Sequence, residues 1–203
     1  MTLRNRVTPR GEIIADPARG LFMGNRGVLH DDQRRLGTAR WKHKNWVTCV
    51  LRFKDRHRAV MTPKRYTELF FLDEAVALAA GHRPCGECRH RDYTRFLDFW
   101  QAVTGVRPGA KDFDKVLHAA RAEPGARRLR RHTAMLEYLP DGAFVDISGA
   151  AHLVLGGSLR PYTPSGYGRP VRRLTGPVTL LTPPPTVAVL SAGFRPVLHP
   201  SAH

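Results

Sequence analysis

Two cysteines, Cys85 and Cys88, stand three positions apart in the stretch GHRPCGECRHRDY, and Cys49 is the third cysteine of the 203-residue chain. Two thiolates at this spacing can bind one metal ion at bond lengths of about 2.3 Å. A structural zinc site needs four ligands, and Cys49, in an upstream β-rich segment, is the natural third. His90 follows Cys88 by two residues and is the preferred fourth candidate. The expected cofactor is therefore zinc in a structural role.

Other readings of the cysteine pair stay open on the sequence alone. His82, His57 and His43 are further local candidates for a fourth ligand. A CxxC pair at the start of a helix can instead act as a redox dithiol, because the helix dipole lowers the pKa of the first thiol. A strand leading directly into the motif, which is typical of thioredoxin-like proteins, is not expected here, because a short helix is predicted to precede it. Two structural thiols without a metal are the third possibility.

Residues 70–89, FFLDEAVALAAGHRPCGECR, resemble the second half of the zinc-binding module of Ada-type DNA-alkylation-repair regulators. The similarity lies in a Phe-led strand, a short helix and an Ala-Gly-aromatic-Arg-Pro-Cys-x-x-Cys turn. It implies that Cys85 and Cys88 are zinc ligands and that the protein has a role in DNA repair or processing. The Ada-type family takes its other two ligands from an upstream cysteine pair, whereas this chain has only Cys49. The methyl-acceptor role of that family is therefore not carried over.

The charge balance favours a polyanionic partner. Lys and Arg number 33 against 17 Asp and Glu, a formal net charge of +16, and such a field attracts nucleic acid. The expected partner is DNA or RNA, and an anionic small molecule is the alternative partner. The charge could also reflect only the arginine-rich composition that a GC-rich genome produces. Basic residues that could contact phosphates, with one indole for base stacking, occur in two segments. They are Arg40, Trp41, Lys42 and Lys44 in the first, and Arg127, Arg128, Arg130 and Arg131 in the second.

Three further residues could support catalysis on nucleic acid. Glu68 lies in YTELFF between apolar residues, and a carboxyl group on a buried strand has a raised pKa and is a candidate acid or base. His30 precedes two aspartates, and Arg26 lies in the glycine-flanked turn GNRG. Together they define the alternative of a nuclease or repair hydrolase. No Ser-His-Asp, nucleophile-elbow, HExxH or HNH-type pattern is present.

Short β-rich and amphipathic segments predict an α+β protein, with central short helices around a zinc-type CxxC turn. NWVTCVLRF, KDRH and RAVMT are expected to form a hairpin, and YTELFF a further strand. Asp73 and Gly81 should cap the short helix EAVALAA at its two ends. A second helix is expected over residues 113–122. RDYTRFLDFWQAVTG carries an apolar stripe at helical spacing, formed by Tyr93, Phe96, Leu97, Trp100 and Val103.

The C-terminal part reads as short strands and turns, in AFVDI, AHLVLGG, SLRPYT and VTLLT. Residues 1–135 are therefore expected to form a basic α+β region and residues 136–203 a small β-rich unit, packed together as one protein. No apolar run reaches the roughly 18 residues of a membrane span, and the N-terminus lacks the apolar segment of a secretory signal. An odd number of cysteines fits a reducing compartment. These features predict a cytoplasmic protein without a membrane partner.

Overall fold

Two mostly antiparallel sheets and four α-helices make up the computed structural model, which describes residues 2–54, 59–124 and 127–203. The α+β class expected from the sequence is confirmed. The helices are α1 (Glu74–Ala79), α2 (His90–Thr104), α3 (Ala110–Arg121) and α4 (Pro184–Ser191). The strands are β1 (Arg4–Val7), β2 (Ile13–Ala15), β3 (Phe22–Asn25), β4 (Val47–Val50), β5 (Leu69–Phe71), β6 (Arg83–Pro84), β7 (His132–Met135), β8 (Phe144–Ile147), β9 (Ala150–Leu155), β10 (Ser158–Thr163), β11 (Gly166–Tyr167), β12 (Val171–Arg172) and β13 (Pro177–Leu180).

The first sheet has the order β2-β1-β5-β3-β4-β6. Strand β3 pairs antiparallel with both β5 and β4, while β6 runs parallel to β4. In this last pair Thr48 lies opposite Pro84. Each of these residues is followed directly by a cysteine, and the backbone N–H of Cys85 donates to Thr48 O at 2.9 Å. The β4–β6 pairing is therefore what brings Cys49 and Cys85 together.

The second sheet has the order β11-β10-β9-β8-β13-β7, with β12 on the other side of β10. All of its strand pairs are antiparallel. The four C-terminal segments expected to be strands are found as β8, β9, β10 and β13. The sheet also includes β7, which begins before residue 136.

Local sequence explains the helix ends. The Asp73 side chain accepts a hydrogen bond from the Val76 N–H at 2.9 Å and so caps α1. Gly81 has φ +87°, the left-handed conformation that ends a helix at little cost for glycine. Helix α2 turns Phe96 and Leu97 into the core, as its apolar stripe predicts. Within the part of the chain that the structure describes, no helix has the length and apolar character to cross a membrane.

A buried apolar cluster joins the N-terminal and C-terminal parts of the chain. Residues of α1 and β5 pack in it with Phe144 and Leu153 of the second sheet. Polar contacts reinforce this junction, because the Asp73 carboxylate accepts hydrogen bonds from the Tyr167 hydroxyl at 2.7 Å and from the His199 N–H at 3.0 Å. The two sheets are thus held together through the cap of α1.

The hairpin expected after β4 does not form. Strand β4 is paired on both sides, with β3 and β6, so no edge is left for a return strand. Residues 59–62 adopt turn and irregular conformations, while 55–58, which include most of the expected hairpin turn, lie outside the described residues. The strand expected over YTELFF is shorter than the segment and covers Leu69–Phe71.

Candidate functional site

Three cysteine sulfurs form a cluster at one end of the first sheet. The sulfurs of Cys49, Cys85 and Cys88 all lie within 4.8 Å of one another, and the three side chains are partly buried. A tetrahedral ion with bonds of about 2.3 Å holds its sulfur ligands roughly 3.8 Å apart, so little movement is needed to close around it. The cluster can therefore bind a metal ion.

The sulfurs also perturb each other's pKa values. The pKa of Cys85 is lowered because side-chain hydrogen bonds from Cys49 and Cys88 favour its thiolate. The pKa of Cys49 is raised because its thiol is the donor to both neighbours, and burial acts in the same direction. The Glu87 N–H lies 3.4 Å from the Cys85 sulfur and donates to it. Such a proton-sharing group of thiols can exchange its protons for a metal cation.

The candidate fourth ligands do not join the cluster in this structure. Among the described residues, no other His, Cys, Asp or Glu ligand atom belongs to the group formed by the three sulfurs. His90 is the first residue of α2, and its Nδ1 lies 3.0 Å from Gly86 O. His82 is fully buried against the Phe71 and Trp46 rings. His43 is also absent from the group, and His57 lies outside the described residues.

A cationic pocket of about 350 Å³ brings together residues from the two basic segments. Arg40 and Trp41 come from the first segment and meet residues of the second at the pocket wall. Glu12 and Glu123 are the acidic lining residues. We call this site the arginine pocket after the six arginines that line it, which are Arg10, Arg26, Arg40, Arg127, Arg128 and Arg131.

Four of the six lining arginines form no ion pair with a carboxylate in the part of the chain that the structure describes. Arg10 forms an ion pair with Asp146, and Arg128 pairs with Glu123 at 3.0 Å. Within the described residues, no ion pair engages the others, Arg26, Arg40, Arg127 and Arg131. A concave surface with this excess of positive charge attracts anions and concentrates them.

Arg26 anchors the pocket to the protein core. Its side chain is fully buried, and its guanidinium donates to Gly11 O at 3.0 Å and Ala80 O at 3.2 Å. The guanidinium carbon lies 4.3 Å from the Trp46 ring centroid, and such cation–π contacts are strongest when desolvated. Burial, and then the nearby charge of Arg40, lower the Arg26 pKa to about 9. Arg26 is therefore still cationic at neutral pH.

A second buried guanidinium lies against the same indole. The Arg121 guanidinium carbon is 3.9 Å from the Trp46 ring centroid, and this side chain donates to Gly81 O and Lys44 O. Burial, and then the charge of Arg26, lower the pKa of Arg121. Trp46 is fully buried, in agreement with a core role.

Some of the predicted nucleic-acid contacts lie outside the arginine pocket. Lys42, Lys44 and Arg130 are not among its lining residues. The two lysines are exposed, and Arg130 donates through Nε to Ala122 O at 2.9 Å. Sequence reasoning missed Arg10, which comes from an N-terminal loop without a basic run. It also missed Arg121, because the position of this residue at the end of α3 does not predict its contact with Trp46.

The three candidate catalytic residues occupy two different places. Glu68 accepts a hydrogen bond from the Met61 N–H at 2.8 Å. His30 lies 2.6 Å from the Thr67 hydroxyl through Nδ1 and 3.2 Å from Thr62 O through Nε2. The hydrogen bonds of both residues therefore fix the conformation of the chain before β5, whereas Arg26 lines the arginine pocket. Neither Glu68 nor His30 is a lining residue of that pocket.

In comparisons with known proteins, no family model, no curated protein and no solved structure matches the chain. The function is therefore inferred from the chemistry of the cysteine cluster and of the arginine pocket.

Proposed function

We propose that this protein binds single-stranded DNA or RNA through the arginine pocket, with its fold stabilised by zinc at the cysteine cluster. The observation that carries the proposal is the meeting of two sequence-distant basic segments in one concave site that also contains Trp41. Arginines neutralise backbone phosphates, and an indole stacks on unpaired bases, which contributes about 1–3 kcal/mol per base. The combination suits a single strand better than a base-paired duplex.

Fluorescence anisotropy with a labelled single strand of about 12 nucleotides tests this binding. Arg40→Ala should weaken the affinity about five- to tenfold, because a charge-assisted contact to phosphate is lost. Arg172→Ala is the matched control, since Arg172 is exposed on β12 and does not line the pocket. Equal losses in the two variants would indicate a diffuse charge effect and contradict the proposed site.

Zinc is the metal that best fits the cysteine cluster. Thiolates are soft ligands that select zinc or copper(I), and zinc is the usual ion of structural thiolate sites. The resemblance of residues 70–89 to Ada-type zinc modules supports Cys85 and Cys88 as ligands, and it favours a role in DNA repair or processing. Sulfur-rich zinc sites are typically structural, so we assign the ion a structural role, which requires a fourth ligand in addition to the three sulfurs.

Elemental analysis of the purified protein tests the metal assignment. We expect about one zinc ion per chain in the wild type and its loss in Cys88→Ser. His90→Ala should retain the metal, because the His90 ring lies against Gly86 O and not in the sulfur group. Metal-free protein with titratable thiols would instead favour the redox alternative. Retention of zinc in Cys88→Ser would also contradict the assignment.

The hydrolase alternative has less support. It requires Glu68, His30 and Arg26 to act on one substrate, but only Arg26 lines the arginine pocket. The other two make hydrogen bonds that organise the chain before β5. We therefore propose binding, and not hydrolysis, as the activity of this site.

A further inference from the structure

The indole of Trp41 is oriented by two other rings. Residues 37–46 contain no helix or strand, so side-chain contacts must fix the direction of this indole. Its ring centroid lies 5.4 Å from that of Trp46, with the two planes at 49°, and 5.7 Å from that of His118, with the planes at 83°. Both separations lie within the range at which aromatic rings attract each other. Trp41 is only partly buried and lines the arginine pocket, so part of this oriented indole is open to a ligand.

Trp46 provides a rigid support for Trp41. The Trp46 side chain is fully buried, and its Nε1 donates to His43 O at 2.8 Å. The guanidinium carbons of Arg26 and Arg121 lie 4.3 Å and 3.9 Å from the centroid of its ring. A buried side chain that is packed in this way occupies one rotamer on the time average. Trp41 therefore packs against a ring that the core holds in place.

His118 contacts both indoles from helix α3. Its ring is nearly perpendicular to that of Trp41, at 83°, and to that of Trp46, at 85° with a centroid separation of 5.8 Å. This edge-to-face arrangement is a favoured geometry for aromatic pairs. The buried Nδ1 of His118 has no hydrogen-bond partner in the described part of the chain. That nitrogen therefore does not explain the placement of the ring, whereas the two indoles do.

His118 also adds no charge to the site. Burial, and then the charges of Arg121 and Lys44, lower the His118 pKa to about 4. The imidazole is therefore neutral at pH 7, and it is not among the residues that line the arginine pocket. Replacing it with an uncharged side chain leaves the charge of the pocket unchanged. An effect of such a replacement on a ligand would act through the position of Trp41.

We propose that His118 is a positioning residue for base binding, which acts with Trp46 to hold the Trp41 indole in the orientation in which an unpaired base stacks on it. The inference rests on the nucleic-acid binding proposed above. An indole that is already held in place loses less conformational entropy when a base stacks on it, so more of the stacking free energy contributes to affinity. The arginines contact phosphates, and the three rings supply the contribution of the base.

The test measures the affinities of two strands by fluorescence anisotropy. One is a thymidine strand of about 12 nucleotides, and the other has the same sugar-phosphate backbone without any bases. Both strands carry the same number of phosphates, so the ratio of their affinities isolates the contribution of the bases. The wild type should bind the thymidine strand at least about fivefold more tightly, which is the lower end of the range for one stacked base.

Substitutions on α3 test the role of the ring. His118→Ala should lower this ratio by at least about threefold, which is most of the minimal contribution of one stacked base. His118→Phe should keep the wild-type ratio, since a phenyl ring can make the same edge-to-face contacts. Val116→Ala is the control on the same helix and should also keep it, because Val116 is 42% exposed and does not line the pocket. If circular dichroism shows that His118→Ala does not fold, His118→Leu, which fills the space without a ring, takes its place.

The possible failures are distinct. A wild-type ratio near one, with Arg40→Ala still weakening both strands, would overturn the inference and leave the proposed nucleic-acid binding intact. A His118→Ala variant that weakens both strands equally leaves the ratio unchanged and would overturn the positioning role. A ratio that falls as far in His118→Phe as in His118→Ala would also overturn it. No measurable binding of either strand would overturn both proposals.

Discussion

A buried ion pair next to the cysteine cluster provides the sharpest stability prediction. Arg83 on β6 donates to Asp114 on α3 through Nε at 2.8 Å and through Nη2 at 2.7 Å, and both side chains are only 5% exposed. Asp114→Asn leaves the Arg83 guanidinium buried without a countercharge. It also removes the carboxylate that favours the charged form of Arg121. Removing one partner of a buried ion pair lowers the free energy of unfolding by about 3–5 kcal/mol.

Urea unfolding followed by circular dichroism measures this loss. At an m-value of about 2–3 kcal/mol per M, the unfolding midpoint of Asp114→Asn should fall by about 1–2.5 M. Asp112→Asn is the control on the same helix, because Asp112 pairs with Lys115 at 2.8 Å and both side chains are 67% exposed. Exposed pairs contribute little to stability, so this midpoint should not move. Equal unfolding midpoints in the two variants would refute the claim that the buried Arg83–Asp114 pair contributes more to stability than the exposed Asp112–Lys115 pair.

Three further predictions concern the core. Burial holds the pKa of His82 well below its usual value, so the unfolded chain binds a proton that the native state does not. The unfolding free energy should therefore decrease below about pH 6.5, by up to about 1.4 kcal/mol per pH unit, and His82→Gln should flatten that part of the pH profile. Gly81→Ala should lower the melting temperature, because Gly81 has φ +87° and a Cβ there would lie 2.5 Å from Arg121 Cδ; an unchanged melting curve would contradict this. Tyr167→Phe should cost about 1–3 kcal/mol in urea unfolding, since it removes the hydroxyl that donates to buried Asp73, and a loss below about 0.5 kcal/mol would show that this bond is dispensable.

Features set by neighbouring residues could be predicted from the sequence. The apolar stripe of α2 correctly placed Phe96 and Leu97 in the core. The same stripe included Val103, which is 51% exposed because it lies in the last turn of the helix, beyond the packed region. The grouping of Cys49 with the CxxC pair also followed from residue type and order along the chain, and the three sulfurs do lie together.

Features set by long-range pairing could not be predicted in this way. RAVMT has the composition of a strand, but β4 already has partners on both sides, and local β propensity does not report which edges are occupied. The arginine pocket likewise combines residues of the two basic segments with a loop residue, Arg10, and a buried residue, Arg26, which are distant from them in sequence. Charge runs indicate a polyanionic partner, but only the folded chain determines which arginines share one surface.

The salt dependence of single-strand binding tests the central claim most directly. Three arginines of the pocket that reach the surface, Arg40, Arg127 and Arg131, have no ion-pair partner among the described residues, and each phosphate contact to a single strand contributes about −0.7 to the slope of log K against log salt concentration. Three contacts predict a slope of about −2, and Arg127→Ala should reduce its magnitude to about 1.4. A slope near zero, or a reduction by Arg172→Ala as large as that by Arg127→Ala, would contradict binding through the arginine pocket.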